Sequence, residues 1–261
     1  MGGVSLDIAA GVGPACLLSP GTKSHRKLGR EQNERHRPDF GGTHHDRRGG
    51  DPRPQVDARL PEDAGAGRAP SGSNIQPWKV YVVDGAARDA LAADLCHRYD
   101  TVGEGQREYE YYPVKWREPY LARRRACGWG LYSTMGITRD DKAGMHAQRR
   151  QNYEFFGAPT AFIFTIDREL EQGSWLDTGM FIQSIMISAR QFGLETIPQA
   201  ALANYHEVLR ARLGIPGSEI VICGMGIGYP DTNAKVNTFT TDREPLENFV
   251  TWIDSLKPAK D

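Results

Sequence analysis

A chain of 261 residues with 39% hydrophobic and 25% charged residues can bury one large core or two small ones. Its net charge of -1 excludes general attraction to nucleic acid or to an anionic membrane surface. No apolar run approaches the roughly 20 residues of a membrane span, and the start MGGVSLDIAAGVGPACLLSP lacks the basic region of a signal peptide.

Up to about Gly67 the chain is rich in Gly, Pro, Arg and Asp, with neither helical nor strand periodicity. It is expected to be irregular and exposed. His44-His45 has no carboxylate or Cys at ligand spacing, so a solvated loop is the better reading than a metal site. Cys16, Cys96, Cys127 and Cys223 lie far apart, which favours reduced thiols over zinc and makes the cytoplasm the expected compartment.

From Arg68 the texture changes. The stretch RAPSGSNIQPWKVYVV places two hydroxyls and two amides in a Pro- and Gly-rich turn directly before a short apolar run. Lys79 to Val83 is β-branched and aromatic, so it reads as a buried strand. Asp84 is positioned to cap a helix over GAARDALAADLCHRYD. Tyr109 to Gly157 reads as a helical excursion rich in aromatics and Arg, in which TRDD at Thr138 predicts a capping box.

A second strand is expected over Ala161 to Ile166. The stretch SWLDTGMFIQSIMISARQFGLE then predicts a long helix, apolar nearly all round and stopped by Gly193, which must be buried on several sides. ETIPQAAL reads as a loop redirected by Pro198. In NYHEVLRARLG, Asn204 and Glu207 predict a helix cap and Gly214 a stop. EIVICGMGIGYP is the last strand. Its glycines are followed by Tyr-Pro rather than a helix, so they predict close packing and not a dinucleotide site. Strands alternating with helices place the fold among α/β or α+β classes.

Hydrolase, zincin and P-loop signatures are absent. Three polar segments remain: Pro70 to Trp78, Pro198 to Ala200, and VNTFTTDREPL with Arg243. Amides and free backbone N–H groups suit a flat heteroaromatic ring, and a lone Arg suits a phosphate. A self-bonded loop, a helix stop and a solvated Arg are the plainer alternatives.

The stretches APSGSNIQPWKVYVVDG, WLDTGMFIQSIMISARQFGLETIPQAA and CGMGIGYPD with VNTFTTDREPL and FVTW resemble the FMN-dependent nitroreductases, in particular the bacterial nitrobenzoate- and nitroaromatic-reducing subgroup. The likeness runs from about Gly67 to Trp252. It implies an α+β fold with a central mixed or antiparallel sheet, flanking helices and a long dimer helix, Trp175 to Gln191. It implies that Pro70, Ser71, Asn74 and Gln76 line the isoalloxazine. Pro198, Gln199 and Ala200 would pass the ring edge with a backbone N–H toward N5, and Arg243 would hold the phosphate. NADPH or NADH would supply hydride in a ping-pong cycle, and the flavin leaves no catalytic acid or base to be named. Tyr111, Tyr112, Trp116, Tyr120 and Arg123 are candidates for substrate stacking or carboxylate pairing, with core packing as the alternative. Reduction of quinones or halophenols, or a protein without FMN, are the competing functions.

The family also begins with a helix and an R-R-S-x-R-x-F motif, whose Arg and Ser bind the phosphate and the N1/O2 edge. Nothing in Met1 to Gly67 matches it. Two explanations stay open. Either the reading frame shifts by one base near residue 66, where codons for Glu62 to Ala66 also allow Lys-Met-Leu-Ala-Leu, or the segment is a divergent extension. The domain is expected over 68–256, with a polar tail over 257–261.

Overall fold

The computed structural model describes residues 66–257, so the readings made for the first 65 residues and for the last four lie outside it. Four strands form one antiparallel sheet in the order β1-β2-β4-β3: β1 is Lys79–Asp84, β2 Thr160–Asp167, β3 Glu195–Gln199 and β4 Glu219–Gly228. Five α-helices accompany it: α1 Gly85–Val102, α2 Tyr120–Met135, α3 Lys142–Arg150, α4 Gln172–Ala189 and α5 His206–Leu213. The sheet is thus antiparallel throughout.

The alternation of side chains along β2 divides the core in two. Ala161 and Ile163 join Leu91, Leu95 and Tyr99 of α1 and Leu209 of α5 in one cluster. Phe162 and Phe164 join Phe181 and Ile185 of α4, with Met225 and Ile227 of β4, in the other. Both faces of β2 are therefore covered, which is why its sequence is apolar at every position from Ala161 to Phe164. Ala66 and Ala69 are already buried in the second cluster.

The glycines of β4 serve packing, as expected. A Cβ on Gly224 would fall inside the radius of Leu202 Cδ1, one on Gly226 would lie 2.8 Å from the Phe155 carbonyl oxygen, and one on Gly228 2.7 Å from Pro159 Cδ. Bare backbone here lets the turn at Phe155–Gly157 and the 3-10 turn Ala200–Tyr205 lie against the sheet.

Several local readings need correction. The segment ETIPQ is not a loop but β3, with Pro198 opposite Met225. It is an edge strand, where a missing N–H costs no ladder bond. Asp84 stands at the N-cap of α1 but makes no side-chain capping bond. The cap of α3 is Asp141, whose Oδ1 accepts from Gly144 N at 2.8 Å, rather than Thr138. Tyr205, not Asn204, is the N-cap of α5, while Gly214 does end it in the left-handed conformation. Residues 109–119 of the excursion are irregular, with its α-helices confined to α2 and α3.

A buried carboxylate ties one end of the sheet. Glu219 of β4 accepts from Thr165 Oγ1 at 2.6 Å and Tyr81 Oη at 3.0 Å, and pairs with Lys79 Nζ at 3.2 Å. Burial alone would raise its pKa, but the bonds from Thr165, Lys79 and Tyr81 outweigh burial and hold it below the ordinary glutamate value. A carboxyl depressed in the folded state stabilises fully above its unfolded pKa, and that contribution is lost as pH falls through the folded value. Glu219→Gln is expected to cost roughly 1–3 kcal/mol at neutral pH and to flatten the acid-side loss of stability. Urea unfolding across the acid range checks both.

Candidate functional site

The loop Pro70 to Trp78 is bent by three non-glycine residues in the left-handed region: Ser73 at φ 49°, Asn74 at 58° and Gln76 at 48°. Each such residue costs on the order of 1–3 kcal/mol unless its surroundings hold it. The restraints are specific. Ser71 Oγ accepts from Gln76 N at 3.0 Å, Asn74 N donates to the Ser71 carbonyl at 3.0 Å, and Gly72 N donates to Asp177 Oδ2 at 3.1 Å. Trp78 then stacks on Phe181 of α4 with centroids 4.6 Å apart. The strain leaves Pro70, Asn74 and Gln76 exposed on one side of the loop, and Gln76 Nε2 reaches only the Asn74 carbonyl.

Asp177 was not among the residues singled out from sequence. It is buried, and it is the sole charged residue between Trp175 and Ala189. That isolation was the available signal, since an acid in an otherwise apolar helix needs a donor.

The second segment leaves the sheet at the end of β3. Pro198 is half-buried, whereas Gln199 and Ala200 are buried. The Gln199 amide turns inward, its Nε2 donating to the Asn152 carbonyl at 2.6 Å. Gln199 and Ala200 are thus buried as whole residues, and Pro198 alone of the three is part-exposed.

Arg243, in the third segment, is exposed and bonds to its own neighbours: Thr241 Oγ1 at 2.6 Å and the Asp242 carbonyl at 3.1 Å. The segment is fastened to α2 by the Arg123–Glu244 ion pair at 2.6 Å and by Phe239, whose ring fills the space where Gly130 lacks a side chain. Burial pushes the nearby Cys127 thiol up, and the Arg243 charge works against that shift. The first two segments therefore share α4 as support, while Arg243 is carried by α2.

The aromatic excursion packs on itself. Tyr109 stands edge-on to Trp175 with centroids 4.6 Å apart, and its hydroxyl donates to the Ile222 carbonyl. Tyr111 and Tyr112 meet at 4.7 Å, and Tyr112 and Trp116 at 5.1 Å. Burial keeps the Tyr109 and Tyr112 phenols above their ordinary range, with Arg107 opposing, so both stay protonated as donors.

The strained, solvent-facing amide loop and the end of β3 both fall within a region of known descent, which stops short of Arg243. The profile of the nitroreductase family matches residues 58–229, more than half of the chain. The chain belongs to the nitroreductase family. Among its relatives in that family is the 4-nitrobenzoate reductase of Nocardioides sp. strain LMS-CY, 39% identical over 191 residues covering 72% of this chain and 77% of the relative. The chloronitrobenzene nitroreductase of Comamonas testosteroni is 37% identical over 185 residues, covering 70% and 82%. The crystal structure of the FMN-dependent nitroreductase NfnB from Mycobacterium smegmatis in complex with NADPH superposes with a TM-score of 0.68 at 31% identity, covering 72% of this chain and 84% of that one. The α+β nitroreductase fold is thus established here, and with it an oxidoreductase.

Replacing Asp177 by Ala removes the acceptor that pins Gly72. The expected result is faster amide hydrogen exchange at Gly72 and Gln76 and a stability loss of roughly 1–3 kcal/mol. Unchanged exchange at these two amides would show that the loop holds its bend without α4.

Proposed function

We propose that this nitroreductase is an FMN enzyme that uses NADPH or NADH to reduce nitroaromatic compounds. The observation that carries the reading is the loop Pro70 to Gln76, whose strained backbone presents exposed polar groups that the fold itself does not need. Pro70, Ser71, Asn74 and Gln76 would line the isoalloxazine. The backbone of Pro198, Gln199 and Ala200 would lie along its edge, which fits a Gln199 side chain committed to the core. Arg243 would hold the phosphate, which requires only that it exchange its local bonds for a charge-assisted one. When bound, FMN supplies the redox chemistry, taking hydride from the nicotinamide and returning electrons to the nitro group in alternating half-reactions. The chain's own part is to bind, orient and exclude water.

The active unit in this reading is a homodimer built on α4. Ile185 is fully buried within the subunit, and Ile182 is partly buried against the same cluster. Leu176 and Ile187 instead point away from the subunit's own core, 68% and 59% exposed. Trp252, Ile253 and Leu256 are likewise 90%, 72% and 90% exposed, an apolar surface that a second copy would cover. Among the described residues no helix is long and apolar enough to cross a membrane. Cys96 and Cys223 are buried thiols outside any disulfide, which supports a reducing, cytoplasmic setting.

We ascribe the segment upstream of about residue 66 to a reading frame shifted by one base, a reading that the family match, which already begins at residue 58, does not support over residues 58–65. The nucleotide sequence tests this directly, since the alternative frame must encode an R-S-x-R-like motif upstream.

A yellow purified protein that oxidises NADPH or NADH only when a nitroarene is present is the expected outcome for the function. Colourless protein, or turnover confined to quinones or halophenols, would overturn it. Arg243→Ala should weaken FMN binding about 10- to 100-fold without dissociating the dimer, as loss of a charge-assisted bond implies; flavin fluorescence titration reads this. Ile187→Glu should sediment as a monomer and lose flavin together with its partner.

A further inference from the structure

Arg107 differs from several arginines around it. Arg168 and Arg210 both reach Glu108, at 2.5 and 2.8 Å, and Arg150 reaches Asp100 at 3.0 Å. The guanidinium of Arg107 has aromatic neighbours instead, 5.3 Å from the Tyr111 ring centroid and 5.9 Å from that of Tyr112. Its Nε is buried without a hydrogen-bond partner. A half-buried guanidinium among aromatic rings, with no carboxylate partner among the described residues, is poised to take an anion from a ligand.

A second cation approaches the same ring. Arg124 of α2 lies 5.8 Å from the Tyr112 centroid and 4.9 Å from that of Trp116. Tyr112 thus has guanidinium groups from two separate segments beside it. The arrangement offers a flat aromatic surface and concentrated positive charge together.

The fold also fixes where this cluster stands. Two residues beyond Arg107, the Tyr109 hydroxyl donates to the Ile222 carbonyl. Ile222 is the residue that the β2–β4 register shift leaves without a partner on β2. It stands two residues along β4 from Gly224, which faces Gln199, the last residue of β3. At about 3.4 Å per residue the anchor is roughly 7 Å beyond the point where β3 ends. The Arg107 segment is therefore anchored on β4 just beyond the end of β3, with Glu108 tied to Arg168 and Arg210 on the Glu219 side. Arg123, which the sequence singles out for carboxylate pairing, is occupied by Glu244.

We propose that Arg107, with Tyr112 and Arg124, forms an anion subsite that binds the ring carboxylate of an aromatic substrate, so that nitrobenzoates are favoured over uncharged nitroarenes. The proposal rests on the reading that the backbone of Pro198 to Ala200 borders the reaction site. The carboxylate would engage the planar guanidinium while the substrate ring lies against Tyr112. Phosphates of the nicotinamide nucleotide share the same oxyanion chemistry, and the test separates them.

Wild type, Arg107→Gln and Arg107→Lys are compared in steady state with 4-nitrobenzoate and nitrobenzene, and with varied NADPH. Benzoate binding is measured in parallel by calorimetry. Arg107→Gln should lower kcat/KM for 4-nitrobenzoate about 10- to 100-fold, chiefly through KM, and weaken benzoate binding by a similar factor, as loss of a charge-assisted contact implies. Nitrobenzene turnover should stay within about twofold, and Arg107→Lys should recover only part of the loss, because an ammonium keeps the charge but not the fork. An equal fall for both nitroarenes would assign Arg107 a structural role and overturn the proposal. So would unchanged benzoate binding, or a loss confined to NADPH, which would assign the subsite to the nucleotide phosphates. If wild type reduces neither nitroarene, the enzymatic reading fails, while the benzoate titration still decides whether Arg107 binds a carboxylate.

Discussion

The contact on which the rest of the domain depends is the seating of α4 beneath β2 and β4. Phe181 and Ile185 close the second cluster against Phe162, Phe164 and Met225, and this fixes the axis of the helix. Once the axis is fixed, Asp177 is placed under Gly72 and Phe181 under Trp78. The bent loop is thus an outcome of core packing several residues away. Its left-handed backbone at Ser73, Asn74 and Gln76 persists because a carboxylate, a hydroxyl and an indole restrain it from different sides.

Much of this was legible in the sequence, for identifiable reasons. The strands over KVYVV and TAFIFTID declare themselves through runs of β-branched and aromatic residues, but the burial expected of KVYVV holds only at Val83, since β1 is an edge strand with Val82 53% exposed. The glycines of β4 were readable as packing because no helix follows them. The strand over ETIPQ was hidden, since Pro198 signals a turn unless the strand is known to sit on an edge. In TRDD two residues can cap, and only the backbone path selects Asp141 over Thr138. The apolar surround of α4 announced burial but not its direction. Whether Ile185 or Ile187 meets the subunit's own sheet is decided by where the sheet lies.

The residues proposed for the site divide along the same line. Loop residues such as Asn74 and Gln76 are recognisable because they are contiguous in sequence. Arg107 is not, because its character comes from Tyr112 nearby and from Arg124 on a different helix, with the register shift at Ile222 locating the group. Local composition reveals a polar loop; it does not reveal a charge whose partner has been left out.

The glycines at Gly224, Gly226 and Gly228 carry a consequence for how this domain can change over generations. Every single-base change of a glycine codon that alters the amino acid adds at least a Cβ, and at these positions that atom meets Leu202, the Phe155 carbonyl or Pro159. Two of those obstacles are backbone or ring atoms that no rotamer change removes. The turn of 3-10 helix after Pro198 lies against this bare strip. A lineage can therefore vary the aromatic excursion residue by residue, but shifting the backbone beside Pro198 to Ala200 demands coordinated changes in two strands and two turns. The excursion is free to drift where the strand edge is not.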